Sequence, residues 1–117
     1  KLCVGDNFAV SANSQFLCYN KITLGRDIQF SWDCLVMDSD THTIFDAKSK
    51  RINTDKEIKI ADKVWVGCRV TILKGTIIPK NCVIGATSLV LGDEFKENTI
   101  ILGCPAKSVR KIGGWEL

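Results

Sequence analysis

Apolar residues fall at every sixth position along most of this chain. From position 60 onward Ile60, Val66, Ile72, Ile78, Ile84 and Val90 recur without a slip. Val64, Val70, Thr76, Cys82 and Ser88 recur two residues before the next of them, so small or apolar side chains flank one interior line. Two earlier stretches keep the rhythm in shifted phases: Val4, Val10 and Phe16, then Leu24, Phe30 and Val36 after two extra residues near Cys18 and Tyr19. An amphipathic helix would instead step apolar residues by three and four, and a β-meander would carry turn clusters every ~8–12 residues.

A sixfold repeat of short apolar units predicts an all-β triangular solenoid, each unit giving a short strand and a corner, three units to a coil. Coils stack about 4.8 Å apart, so N–H and C=O groups pair between coils while the aliphatic line fills the interior. Gly5, Gly25, Gly67 and Gly85 each follow a periodic aliphatic, where a corner turns and a Cβ would obstruct. The rhythm places coils at 2–37 and 58–92, in one domain spanning 1–117. Between them, 38–57 offers no sustained aliphatic line and reads as an excursion loop, the kind of element in which chemistry tends to sit. The segment 103–117 abandons the repeat and reads as a cap: Pro105 suits the first turn of a short C-terminal helix, with Val109 and Ile112 as its apolar stripe.

Composition narrows the class. A hydrophobic fraction of 45% and a charged fraction of 25% are ordinary for a globular protein. No apolar run approaches the roughly 20 residues of a membrane helix. The opening Lys1-Leu2-Cys3-Val4-Gly5 has neither an initiator Met nor a signal-peptide core, so the chain is expected to begin inside a longer natural one. A net charge of +3 does not argue for nucleic acid. Two basic clusters could meet a phosphorylated ligand or simply solvate the surface: Lys48, Lys50, Arg51, Lys56 and Lys59, then Lys107, Arg110 and Lys111. Six cysteines show no C-x-x-C pair; with Cys34 and Cys82 on repeat positions, they read as reduced thiols of a cytoplasmic protein, with no metal site.

Several stretches in order carry a resemblance over almost the whole chain: Ile28-Gln29-Phe30-Ser31-Trp32-Asp33, Met37-Asp38-Ser39-Asp40-Thr41-His42, Val64-Trp65-Val66-Gly67, Ile84-Gly85-Ala86 and Gly103-Cys104-Pro105-Ala106-Lys107. They resemble the hexapeptide-repeat acyltransferases, closest to the galactoside, maltose and capsule or O-antigen O-acetyltransferases. The resemblance implies a single-stranded left-handed parallel β-helix, acetyl-CoA as acyl donor, a sugar or sugar-nucleotide acceptor, a place in surface-polysaccharide synthesis, and a homotrimer with sites between subunits.

It further implies that His42, the chain's one histidine, is the general base. An imidazole titrating near ~6.5 can take a hydroxyl proton at neutral pH and return it to a departing thiolate. Asp38 or Asp40, or a backbone carbonyl, could fix its tautomer; the bland reading is that both aspartates shape the turn. The implied cofactor contacts are Gly67, Cys68, whose amide would face an oxyanion, Ala86, Lys107 and Arg110. Leu91-Gly92 stands where related enzymes often carry Thr-Lys, so some cofactor contacts are lost or supplied elsewhere. Acceptor contacts are expected from Trp32, whose ring suits a sugar face, and from Ser11 and Asn13; Ser11 stands where the sugar acetyltransferases carry Asn.

Three rival readings share the solenoid. A γ-type carbonic anhydrase needs three histidines and is excluded by the single one here. An acyltransferase for serine or a streptogramin-type antibiotic would keep His42 and change the acceptor pocket. A catalytically silent assembly module would have no use for the loop from Asp38 to His42 together with Lys107 and Arg110.

Overall fold

The computed structural model describes all 117 residues, in fourteen strands and no helix. Three strands make each turn. The first coil holds β1 (Leu2–Val4), β2 (Ala9–Val10) and β3 (Gln15–Leu17), and the second β4 (Ile22–Leu24), β5 (Gln29–Phe30) and β6 (Leu35–Met37). After the loop come β7 (Ile58–Ile60), β8 (Val64–Val66) and β9 (Thr71–Leu73), then β10 (Ile77–Ile78), β11 (Cys82–Ile84) and β12 (Leu89–Val90). Stacking gives three sheets: β1-β4-β7-β10, β2-β5-β8-β11-β13-β14 and β3-β6-β9-β12, called here the first, second and third faces. Within the coils every pairing is parallel and in register, as in Leu24 against Val4 on one side and Ile60 on the other.

The interior is the aliphatic line. Ile60, Val66, Ile72, Ile78, Ile84 and Val90 are each no more than 2% exposed. Val64, Val70, Thr76, Cys82 and Ser88 are buried beside them, and Cys34 and Cys82 pack there as small apolar groups. Phe8, Phe16 and Phe30 fill the wider interior of the first two coils, with ring centroids 5.1 to 6.1 Å apart. Val4 and Val10 keep the phase but are 47% and 45% exposed, because β1, β2 and β3 pair on one side only.

The corners divide their work between two positions. At Gly67 a Cβ would stand 2.8 Å from the amide nitrogen of Ala86, so the backbone of the next coil occupies the space a side chain would need. The left-handed φ falls two residues later, at Asp27, Lys63, Arg69, Asn81 and their equivalents, with φ near 54 to 63°. Asn and Asp tolerate that region best, and they bond to one another between coils, as from Asn7 Nδ2 to Asp27 Oδ1 at 2.8 Å.

The C-terminal helix expected from Pro105 is not there. Thr99–Gly103 (β13) continues the second face, and Ala106–Lys111 (β14) returns antiparallel to it, with Pro105 in the turn. Thr99, Ile100 and Ile101 favour an extended chain, and Ile101 extends the buried line at 0% exposure. Val109 is 57% exposed, so the supposed apolar stripe covers nothing. Beyond β14 the chain folds back over the second face. Trp115 donates its indole N–H to Lys63 O at 3.0 Å, and its ring lies 6.2 Å from that of Trp65.

Candidate active site

The loop 38–57 leaves the prism at the edge between the third and first faces, after β6 and before β7. Its first residue turns inward. Asp38 is fully buried, and its two oxygens accept the amides of Tyr19 at 2.8 Å and Asn20 at 2.9 Å. That carboxylate closes the turn made by the two extra residues between the first coils. Asp40 faces the third coil instead, accepting Lys74 Nζ at 2.7 Å and Asn53 Nδ2 at 2.9 Å. The Lys74 ammonium first, and then the Asn53 amide, holds the Asp40 carboxyl below its usual range.

His42 is exposed, and Nδ1 of its ring lies 2.9 Å from Thr41 Oγ1. Neither aspartate hydrogen-bonds the imidazole; its one partner, the Thr41 hydroxyl, can donate to Nδ1 or accept from it. The His42 carbonyl accepts Asn53 Nδ2 at 2.8 Å. Asn53 is 7% exposed, and its Oδ1 accepts the Ile44 amide at 2.7 Å. Sequence reasoning missed Asn53 and Lys74: each lies outside any motif and gains its partner only when the loop closes. The far end of the loop is a small hairpin bridged between Phe45 and Arg51, with Ile44, Phe45 and Ile52 more than half exposed.

The expected acceptor and cofactor residues of the coils gather on a different edge, between the second and third faces. Ser11 and Asn13 follow β2, Trp32 follows β5, Gly67 and Cys68 follow β8, and Ala86 follows β11. Their backbones stack: Ser11 N donates to Phe30 O at 3.0 Å, Ser31 N to Val66 O at 2.9 Å and Gly67 N to Ile84 O at 2.8 Å. The Cys68 amide, by contrast, donates to no backbone carbonyl. Beneath Gly67 the Cys34 thiol donates to its carbonyl at 3.2 Å, and burial pushes that thiol's pKa up, which keeps it protonated and unreactive.

Ser11 and Trp32 share an open groove of 320 Å³ with Gln29, Ser31, Trp65 and the tail residues Trp115, Glu116 and Leu117. Asn13 does not line it; with φ 63° it is a corner residue. Trp65, whose indole N–H donates to Ser31 Oγ at 3.2 Å, had a readable signal, since Val64 and Val66 point inward and alternation sends Trp65 out.

Lys107 and Arg110 are three apart in β14 and would ordinarily face opposite ways. The ladder pairs Lys107 with Leu102, Ser108 with Ile101 and Arg110 with Ile100, leaving Val109 as an unpaired bulge. Opposed residues share a side, so the bulge turns both cations outward with Leu102 and Ile100 while Ser108 points in with buried Ile101. Lys107 lines a 490 Å³ groove with Phe95 and Lys96, and Arg110 lines an adjoining one of 530 Å³. No hydrogen bond joins the His42 loop to either set, so one chain carries them on separate edges.

No family model matches the chain. It is 34% identical over 117 residues to the polysialic acid O-acetyltransferase of Escherichia coli O1:K1, covering 98% of this chain and 38% of that one. It superposes on the crystal structure of the polySia-specific acetyltransferase NeuO with a TM-score of 0.93 and 32% identity, over 99% of this chain and 54% of the other. The chain belongs to the hexapeptide-repeat acyltransferase family. A further member, the acetyltransferase from Vibrio cholerae solved in complex with acetyl coenzyme A, matches with a TM-score of 0.81 and 26% identity, over 95% and 60%. The solenoid is therefore of the left-handed kind that this hexapeptide-repeat family shares. This hexapeptide-repeat chain spans about half the length of the curated relatives it matches.

Proposed function

We propose that this chain transfers an acetyl group from acetyl-CoA to a hydroxyl of a sugar, with His42 as general base. The observation that carries the reading is a lone exposed imidazole on a loop whose base is tied to the prism through Asn53, Asp40 and Lys74. Nothing about packing calls for that histidine. Relatives named for polysialic acid and galactosides support the sugar acceptor, and one named for lipopolysaccharide biosynthesis supports a role in surface-polysaccharide synthesis.

The residues fit a thioester donor. The Cys68 amide is free to donate, and Lys107 and Arg110 point outward to receive phosphate charge. Acetyl-CoA supplies the activated acyl group. In the tautomer that donates Nδ1–H to Thr41 Oγ1, His42 keeps a lone pair on Nε2 to accept the acceptor's hydroxyl proton as its oxygen attacks the thioester carbon. The Cys68 amide stabilises the developing oxyanion, and the imidazolium returns the proton to the departing thiolate. Asp38 and Asp40 act by shaping the loop. Trp32 and Ser11 line the acceptor groove, with Asn13 beside it as a corner.

Because His42 and the donor residues occupy different edges, the complete site forms between subunits of a homotrimer. The exposed apolar hairpin tip at Ile44, Phe45 and Ile52 is suited to contact a neighbour. Six free thiols support a cytoplasmic setting. No helix of the chain is long and apolar enough to cross a membrane.

The test is thiol release from acetyl-CoA against a panel of sugar nucleotides, free sugars and serine. His42→Ala is expected to lower transfer at least about a hundredfold with the fold intact. Unchanged turnover would refute the mechanism.

A further inference from the structure

The His42 ring makes a single hydrogen bond, and its partner is the adjacent residue, Thr41. An exposed side chain held only by its sequence neighbour has no direction of its own; its aim is inherited from the backbone beneath it. That backbone is fixed at one atom, the His42 carbonyl, by Asn53. Asn53 is buried and uses its whole amide: Oδ1 accepts Ile44 N at 2.7 Å, and Nδ2 donates to His42 O at 2.8 Å and to Asp40 Oδ2 at 2.9 Å. The orientation of that amide is unambiguous. An N–H can only donate, and a carbonyl and a carboxylate can only accept, so a flipped amide would break all three bonds.

No other residue type fills this place. Asp has the same shape but no donor, and it would set a second carboxylate against Asp40. Ala would leave the part-buried Ile44 amide and His42 carbonyl without this partner. The clamp is in turn anchored: Lys74, at the end of β9, donates to Asp40 Oδ2 at 2.7 Å and to Thr54 O at 3.2 Å. A continuous path therefore runs from the rigid third coil through Lys74, Asp40 and Asn53 to the main chain of His42.

We propose that Asn53 is the positioning residue for His42, a buried three-bond clamp, anchored by Lys74, that sets the direction of the imidazole. The inference rests on His42 being the base. Asn53 touches no reacting atom; its effect is on how often the ring points where a hydroxyl can meet it. Loss of the clamp lowers kcat and leaves donor binding on the other edge unchanged.

One histidine makes the test clean, because the long-range proton–nitrogen spectrum of the imidazole holds one pair of ring nitrogens and needs no assignment. Asn53→Asp is expected to lower kcat about thirtyfold, for acetyl-CoA with galactose, N-acetylneuraminic acid or UDP-N-acetylglucosamine, whichever the unaltered chain acetylates. The KM for acetyl-CoA should stay within about twofold. Relaxation of the ring signals should report a less ordered imidazole, and Lys74→Met should move both readouts the same way. Exchanging the pair, Asp40→Asn with Asn53→Asp, restores a bond between those two side chains but gives His42 O no donor. The exchange should recover thermal stability without recovering kcat.

Full kcat in Asn53→Asp beside an inactive His42→Ala would overturn the clamp alone. Full turnover in His42→Ala would overturn the base and the clamp's catalytic value with it. Recovery of kcat in the exchanged pair would show that Asn53 serves only the loop's stability, and would overturn the proposal.

Discussion

Asp38, Asp40 and His42 stand two residues apart on a bent segment, with Thr41 at a left-handed φ of 63°, and they take three different tasks. Asp38 is the inward one. Removing the fully buried carboxylate in Asp38→Ala takes the acceptors from the part-buried Tyr19 and Asn20 amides, at a cost of about 1–3 kcal/mol. Urea unfolding should show that loss as a lower midpoint at unchanged slope. Asp40 gives the loop a pH signature. Its folded pKa lies below the ordinary value because of Lys74 and then Asn53, so its contribution is fully present above the unfolded pKa of about 3.9. That contribution is lost as pH falls through the depressed folded value. Amide exchange at Ile44 should therefore stay protected at neutral and mildly acid pH and rise only in strong acid, and Lys74→Met should move the rise up toward pH 4. At this scale the sequence made His42 conspicuous and gave no sign of Asn53, whose value comes from partners 9, 11 and 13 residues away across a closed loop.

Among the elements, the strands of the coils were legible because one physical demand, filling the prism's axis, repeats every six residues. Ile60 to Val90 keep that demand, and all of them are buried. The C-terminal hairpin was illegible for the opposite reason. It belongs to no repeat, and Pro105 fits a helix start and a tight turn equally well. What decided the outcome was tertiary: the open edge of β11 offers unpaired backbone groups, and Ile100 and Ile101 take them. The bulge at Val109, which aims Arg110 outward, depends on ladder register and leaves no trace in composition. The tail is a similar case, since Trp115 docks at Lys63, which interrupts a row of Asn and Asp, and donates to a carbonyl that also accepts the Cys82 amide.

For the whole molecule, the placement of His42 on one edge and the outward cations near another makes a shared site testable by mixing. Subunits carrying His42→Ala and subunits carrying Lys107→Glu with Arg110→Glu should each be inactive alone. Refolded together they should regain a fraction of full turnover, because some interfaces then join an intact base to an intact donor surface. No recovery in verified mixed oligomers would sink the shared-site reading. The prism has one more property at this scale. Each coil touches only the coils above and below, so the height between the loop at the second turn and the hairpin past the fourth is counted in whole steps of about 4.8 Å. Such a stack is a ruler: inserting eighteen residues would lengthen it by one graduation and disturb no existing neighbour except at the splice. The span between His42 and the Lys107–Arg110 surface is thus quantised, and under the proposed chemistry a thioester carried on a longer or shorter arm would be matched by adding or removing a turn.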